Sequence, residues 1–133
     1  MGQMTLTVKN DAGHIRDRHL AWSEAELVAN IITCAQDNGW VAVHHRPAKT
    51  AKGWRTLAEG NAGSPDILCC KGGRVLLIEA KSATGRLSPE QREWAAALEY
   101  GASGRSLPVG AYGYMVARPA DWPRVREMLE RYA

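Results

Sequence analysis

No apolar run in these 133 residues approaches the ~18 that a membrane-spanning helix needs, so no membrane role is expected. The first twenty residues are polar and lack the apolar stretch of a signal peptide. After Met1-Gly2, Leu6 stands where a myristoylation signal requires Ser or Thr. The expected location is therefore cytoplasmic. Cysteine is scarce: three residues, two of them the adjacent Cys69 and Cys70, with no C-x-x-C spacing. That excludes a disulfide framework and a zinc knuckle, and leaves buried, unpaired thiols as the expectation. A zinc site from Cys34, His44 and His45 has no spacing to support it. There is no internal repeat and no low-complexity tract. Acids are missing from 46 to 55, where Arg46, Lys49, Lys52 and Arg55 surround Trp54. A basic, Gly- and Pro-containing loop with an aromatic is a candidate for phosphate contact; a merely solvated loop is the competing reading.

What is present is globular. The apolar fraction is 45%, and the length suits one domain with a real core. The net charge of +3 says little by itself. Residues 1–21 show no clear period and read as a loose arm, whose His14, Arg16, Arg18 and His19 could meet a polyanion. Residues 22–133 read as one domain. In "SEAELVANIITCAQDNG", Ser23 with Glu26 three residues on is a capping box, and Leu27, Val28, Ile31, Ile32 and Ala35 form one apolar face. Asn38-Gly39 closes that helix. "WVAVHH" reads as a strand, followed by the basic loop to about Ala62. A hairpin follows at about 65–71 and 74–81, and a second helix opens at Ser88-Pro89 with Gln91 at its third position. "VGAYGYMVAR" is a further strand and "WPRVREMLERY" a last helix. The expected order is α-β-β-β-α-β-α, an α/β fold with a mixed sheet flanked by helices.

The hairpin carries unexpected charges. With Gly72-Gly73 as a two-residue loop, Lys71 faces Arg74, and the same register sets Asp66 directly opposite Glu79 on one face. Lys81, two residues past Glu79, shares that face. Two acids placed so repel, and one pKa must rise unless a cation intervenes. A hard divalent cation, Mg²⁺ or Mn²⁺, suits such oxygen donors and also binds phosphate. Beside it, Lys81 can orient or activate a water, or stabilise charge developing at phosphorus. The competing reading is a structural salt-bridge cluster at a strand end.

Taken together, "PD" and "EAK" thirteen residues later resemble the PD-(D/E)XK nuclease superfamily. "SEAEL", "GW" and then a His, "G-x-PD", "IEAKS", "GRLSPEQREW" and a terminal "ARPADW" resemble, more specifically, the virus-type replication-repair nuclease (VRR-NUC) domain over about 22–133. The resemblance implies Asp66 and Glu79 as metal ligands with the carbonyl of Ala80, and Lys81 as the catalytic lysine. It also implies a first-helix acid, for which Glu24 is preferred: Glu24 lines up with Leu27, Val28 and Ile31, whereas Glu26 already serves the capping box. Gln91 is expected near the site, capping Ser88 or acting in catalysis or both. His44 and Arg86 are candidate phosphate contacts, beside Arg46, Lys49, Lys52 and Arg55. Two departures stand out: Ala80 occupies a place where a bulkier apolar residue is common, and the arm before Trp22 has no counterpart.

The implied activity is a Mg²⁺-dependent DNA endonuclease, with Mn²⁺ able to substitute. Small stand-alone members of the family look like Holliday-junction resolvases. No helix looks dedicated to the major groove, so the shape of branched DNA is the expected target, not a base sequence. Two symmetric nicks call for a homodimer, with Tyr112, Tyr114 and Met115 as candidates for its interface. No small-molecule substrate is expected. The rivals are a flap, nick or restriction-type nuclease, a non-catalytic branched-DNA-binding module, and an α/β protein unrelated to nucleic acid.

Overall fold

The computed structural model describes residues 7–9, 15–45, 48–50, 53–55, 59–99, 110 and 112–132. The expectations for Arg46 and Lys52 lie outside the described residues. In chain order the elements are β1 (Thr7–Lys9), β2 (Ile15–Asp17), a 3-10 turn (Arg18–Ala21), α1 (Glu24–Asp37), β3 (Val41–His44), β4 (Ala48–Thr50), β5 (Gly53–Arg55), β6 (Ile67–Lys71), β7 (Arg74–Ala80), α2 (Pro89–Glu99), β8 (Tyr112–Ala117), a second 3-10 turn (Pro119–Asp121) and α3 (Trp122–Arg131).

The central sheet is mixed and has the order β3-β6-β7-β8. The β3/β6 and β6/β7 pairs are antiparallel, and β7/β8 is parallel. Gly72 and Gly73 both have positive φ, 56° and 80°, the backbone that a tight two-residue hairpin loop demands. That turn fixes Lys71 opposite Arg74 and carries the ladder to Ile67 opposite Ile78. Side chains alternate along each strand. Ile67, Cys69, Leu76, Ile78, Ala80, Met115 and Ala117 therefore share one face, and they merge with Leu27, Ile31 and Ala35 of α1 and Val125 and Leu129 of α3 into one core. Trp40 reaches across this core to donate its indole N–H to the Leu129 carbonyl at 2.9 Å. Truncating a fully buried Ile31 or Leu129 to Ala would cost about 2–5 kcal/mol. On the other side α2 lies along β8, where the Tyr112 hydroxyl donates to the Leu98 carbonyl at 2.9 Å.

Three expectations need correction. The segment read as a loose arm carries the antiparallel β1/β2 pair, and His19 in the following turn is only 3% exposed. Each of these strands is three residues long, too short to show a hydrophobic period, although Thr7, Val8 and Ile15 are β-branched. The segment read as one long basic loop contains the antiparallel β4/β5 pair, with Lys49 opposite Trp54 and Ala48 opposite Arg55. Met115, offered as an interface residue, belongs to the core at 6% exposure. It alternates with Tyr112 and Tyr114, so it points to the opposite face. Among the described residues no helix is long and apolar enough to cross a membrane. Cys34, Cys69 and Cys70 are all unpaired thiols; burial pushes Cys69 up to about 12 and Cys34 up to about 11, which keeps both protonated.

Candidate active site

The open end of the β6/β7 hairpin forms one wall of a cleft of about 490 Å³, which Glu24, His44, Asp66, Glu79, Lys81 and Gln91 all line. Asp66 sits one residue before β6, and its carbonyl accepts from the His45 N–H at 2.7 Å, extending the pairing with β3. Both carboxylate oxygens are engaged. Oδ1 accepts the Ala80 N–H at 3.0 Å, and Oδ2 lies 3.1 Å from His44 Nε2. Asp66 is thus held by its neighbours on both sides in the sheet.

Glu79 is the penultimate residue of β7 and is only 4% exposed. Its Oε2 accepts from Gln91 Nε2 at 3.0 Å and lies 3.7 Å from Lys81 Nζ. That ammonium is beyond close hydrogen-bond range, so it compensates the charge only partly. Burial first, and the Asp66 charge second, push the Glu79 carboxyl up to about 7; Lys81 opposes this and Glu24 adds to it. Among the described residues, the acid faces more negative than positive charge.

The two first-helix acids have different surroundings. Glu26 accepts the Ser23 N–H at 2.8 Å while its own N–H donates to Ser23 Oγ at 3.1 Å, completing the capping box. Glu24 lines the cleft. Gln91 combines both of its expected roles in one side chain. Its Oε1 accepts the Ser88 N–H at 2.8 Å, its N–H donates to Ser88 Oγ at 3.1 Å, and its amide nitrogen reaches Glu79. The amide has two ends, so capping does not compete with contact to the acid.

Two of the candidate phosphate contacts among the described side chains are placed otherwise than expected. Arg86 is exposed and lies outside the cleft lining. His44, expected to face substrate phosphate, has its Nε2 on Asp66, and its Nδ1 is buried without a hydrogen-bond partner among the described residues. Sequence reasoning missed Arg118, whose guanidinium donates to the carbonyls of Ser82 at 2.8 Å and Gly85 at 2.6 Å and so ties down the loop that follows Lys81. It also missed Trp94, whose indole N–H is shared between the carbonyls of Asn61 at 3.2 Å and Ala62 at 3.0 Å. Both residues lie in quoted motifs, but no spacing rule pointed to their partners.

The donors suit a hard divalent cation. Asp66 and Glu79 offer carboxylate oxygens whose mutual repulsion a cation would relieve, and Ala80 follows Glu79 directly in the chain. Among the described residues no three His, Cys, Asp or Glu side chains gather into a ready-made cage. Mg²⁺ does not need one, since it keeps several waters and takes one or two carboxylates plus phosphate.

The VRR-NUC domain model matches residues 6–102 of the chain. No curated protein matches, and no solved structure matches. The matched span starts within the segment read as an arm and ends before β8, so "ARPADW" falls outside it. Asp66, Glu79, Lys81 and Gln91 fall inside. A match over more than half of the sequence settles membership: this chain belongs to the VRR-NUC domain family, a family of nucleases.

Proposed function

We propose that the chain is a Mg²⁺-dependent, structure-selective endonuclease with a PD-(D/E)XK-type core, which hydrolyses phosphodiester bonds in branched DNA, Holliday junctions first, as a homodimer. The observation that carries this is the charge balance at Glu79. A structural ion-pair cluster would set each acid against a close cation. Here a buried carboxyl faces Asp66 and Glu24, and the ammonium beside it stands 3.7 Å away. That imbalance is costly without a ligand and useful with one.

Asp66, Glu79 and the Ala80 carbonyl would hold Mg²⁺, which when bound supplies positive charge to the scissile phosphate and acidifies the attacking water. The remaining work belongs to the chain. The Ala80 N–H and His44 fix both oxygens of Asp66, and Gln91 fixes Glu79. Lys81 orients the attacking water and offsets the charge that grows on phosphate. Products with 5′-phosphate ends are expected. The basic segment containing Lys49, Lys52, Arg46 and Arg55 supplies contact to the DNA backbone.

Incubation with a four-way junction in Mg²⁺, with cut positions mapped on every strand, tests this. Symmetric nicks near the branch are expected. Equal cutting of flaps, nicked duplex or linear duplex would favour the restriction- or flap-type reading, and retention of the junction without cutting would favour a binding module. Replacing Lys49 and Lys52 by Ala should weaken junction binding and reduce the slope of log K against log salt by roughly 0.9 for each phosphate no longer neutralised. An unchanged slope would remove the basic segment from the interface.

A further inference from the structure

The loop before Asp66 is pressed onto the first turns of α2 by contacts that take no part in the chemistry. Gly63 has φ +94°, a conformation L side chains avoid. A Cβ placed there would lie 2.7 Å from the Glu90 carbonyl carbon, 2.8 Å from Glu90 Cβ and 2.9 Å from the Gln91 nitrogen. Two of those three atoms are backbone and cannot yield. One turn further along, the Trp94 indole N–H bridges the carbonyls of Asn61 and Ala62. The loop is therefore clamped at two points, and the two residues joined through it are Asp66 at its end and Gln91 beneath it. Gln91 in turn grips Glu79 at 3.0 Å.

We infer that Gly63 and Trp94 are positioning residues: they lock the 61–65 loop to α2 so that Gln91 is aimed at Glu79. This rests on the nuclease reading for its consequence, but the alignment itself does not. The physical logic is that Asp66 and Glu79 come from strands the hairpin already registers, whereas Gln91 comes from a helix that the hairpin does not fix. A helix N-terminus left to its cap alone frays. The clamp supplies the missing restraint with the Trp94 hydrogen bonds and a close approach that only glycine permits.

The decisive variant is Trp94→Phe, which keeps an aromatic ring and removes the N–H. Turnover of a junction in Mg²⁺ should fall about 10-fold to 100-fold, as expected for a misplacement of the order of 1 Å, with KM unchanged within about 2-fold. Combining Trp94→Phe with Gln91→Ala should cost no more than Gln91→Ala alone, since the tryptophan acts through the glutamine. Wild-type turnover in Trp94→Phe, or additive losses in the double variant, would overturn the inference. The second readout needs no activity. In two-dimensional NMR the Gln91 side-chain amide should be shifted and protected from exchange in the wild type and collapse towards free glutamine in Trp94→Phe. An amide unchanged by the substitution would overturn the clamp even if no DNA is ever cut, and a collapsed amide would support it in the same circumstance. Gly63→Ala should produce the same amide collapse, and a wild-type amide there would count against the inference.

Discussion

The β6/β7 hairpin has like charges facing each other at both of its ends, and it handles them in opposite ways. At the turn, Lys71 is paired with Arg74. The Lys71 ammonium donates to the Asn38 carbonyl at the end of α1, and the Arg74 guanidinium lies 4.5 Å from the centre of the Tyr132 ring. Each cation meets a group that suits it, a carbonyl at a helix C-terminus or an aromatic face. At the open end, Asp66 and Glu24 both act against the charge of the buried Glu79, and the Lys81 ammonium makes a long 3.7 Å ion pair with it that offsets them only in part. The turn end discharges its repulsion within the fold. The open end offsets it only in part. On the proposed nuclease reading, a sheet end that retains like charge is one that a divalent cation with a phosphate would complete.

The sharpest way to break this contrast is to remove charge at the open end. Glu79→Ala, Asp66→Ala or Lys81→Ala should lower junction cleavage by about 10²–10³-fold or more, while junction binding and cooperative unfolding persist. Calcium should support binding without cutting. Loss of folding in Glu79→Ala would instead make the open end structural, like the turn. Glu79→Gln adds a sign to the test, because it keeps the Gln91 contact and deletes the buried charge. It should be inactive and more stable than the wild type at pH 8.

A smaller effect follows from the same carboxyl. Its folded value is about 7 against an ordinary 4.5. Between those values the folded protein holds a proton that the unfolded chain has released. Stability therefore falls as pH rises through that window and stays lower above it. Without divalent cation, the Tm should be lower at pH 8 than at pH 5 by at least about 4 °C, roughly what 1 kcal/mol is worth in a domain of this size. Glu79→Gln should abolish most of that difference. Mn²⁺ should raise the wild-type Tm more at pH 8 than at pH 5, since cation and proton compete for the same oxygens. A flat wild-type profile would mean that Lys81 compensates Glu79 fully, as the structural reading requires.

The same contrast explains what could be read in the sequence. The hairpin register was legible because Gly72-Gly73 allows one tight turn, and a period of two does the rest. The helix starts were legible because Ser23 with Glu26 and Ser88 with Gln91 are local patterns, closed within three residues. The short strands β1, β2, β4 and β5 were not, since three residues cannot display a period. The grip of His44 on Asp66 spans 22 residues, that of Trp94 on Asn61 spans 33, and that of Arg118 on Gly85 spans 33. Such contacts depend on how strands and helices meet in space. The hairpin register and the helix caps were local enough to read, but the scaffolding around the candidate site was not.

The smallest expected effect belongs to the turn end, and it is the control that gives the comparison its meaning. Lys71→Ala removes a hydrogen bond to a helix-terminal carbonyl, and Arg74→Ala removes a cation from an aromatic face. Each should cost about 0.5–1 kcal/mol, seen as a Tm lower by a few degrees. Neither should change the rate at which a junction is cut, because the turn lies at the far end of strands whose register the ladder between Ile67 and Ile78 already holds. If either substitution lowered cleavage in step with the open-end variants, the register of Asp66 against Glu79 would depend on the turn charges. The two ends would then be one device, and the retained repulsion at the open end would have lost its separate explanation.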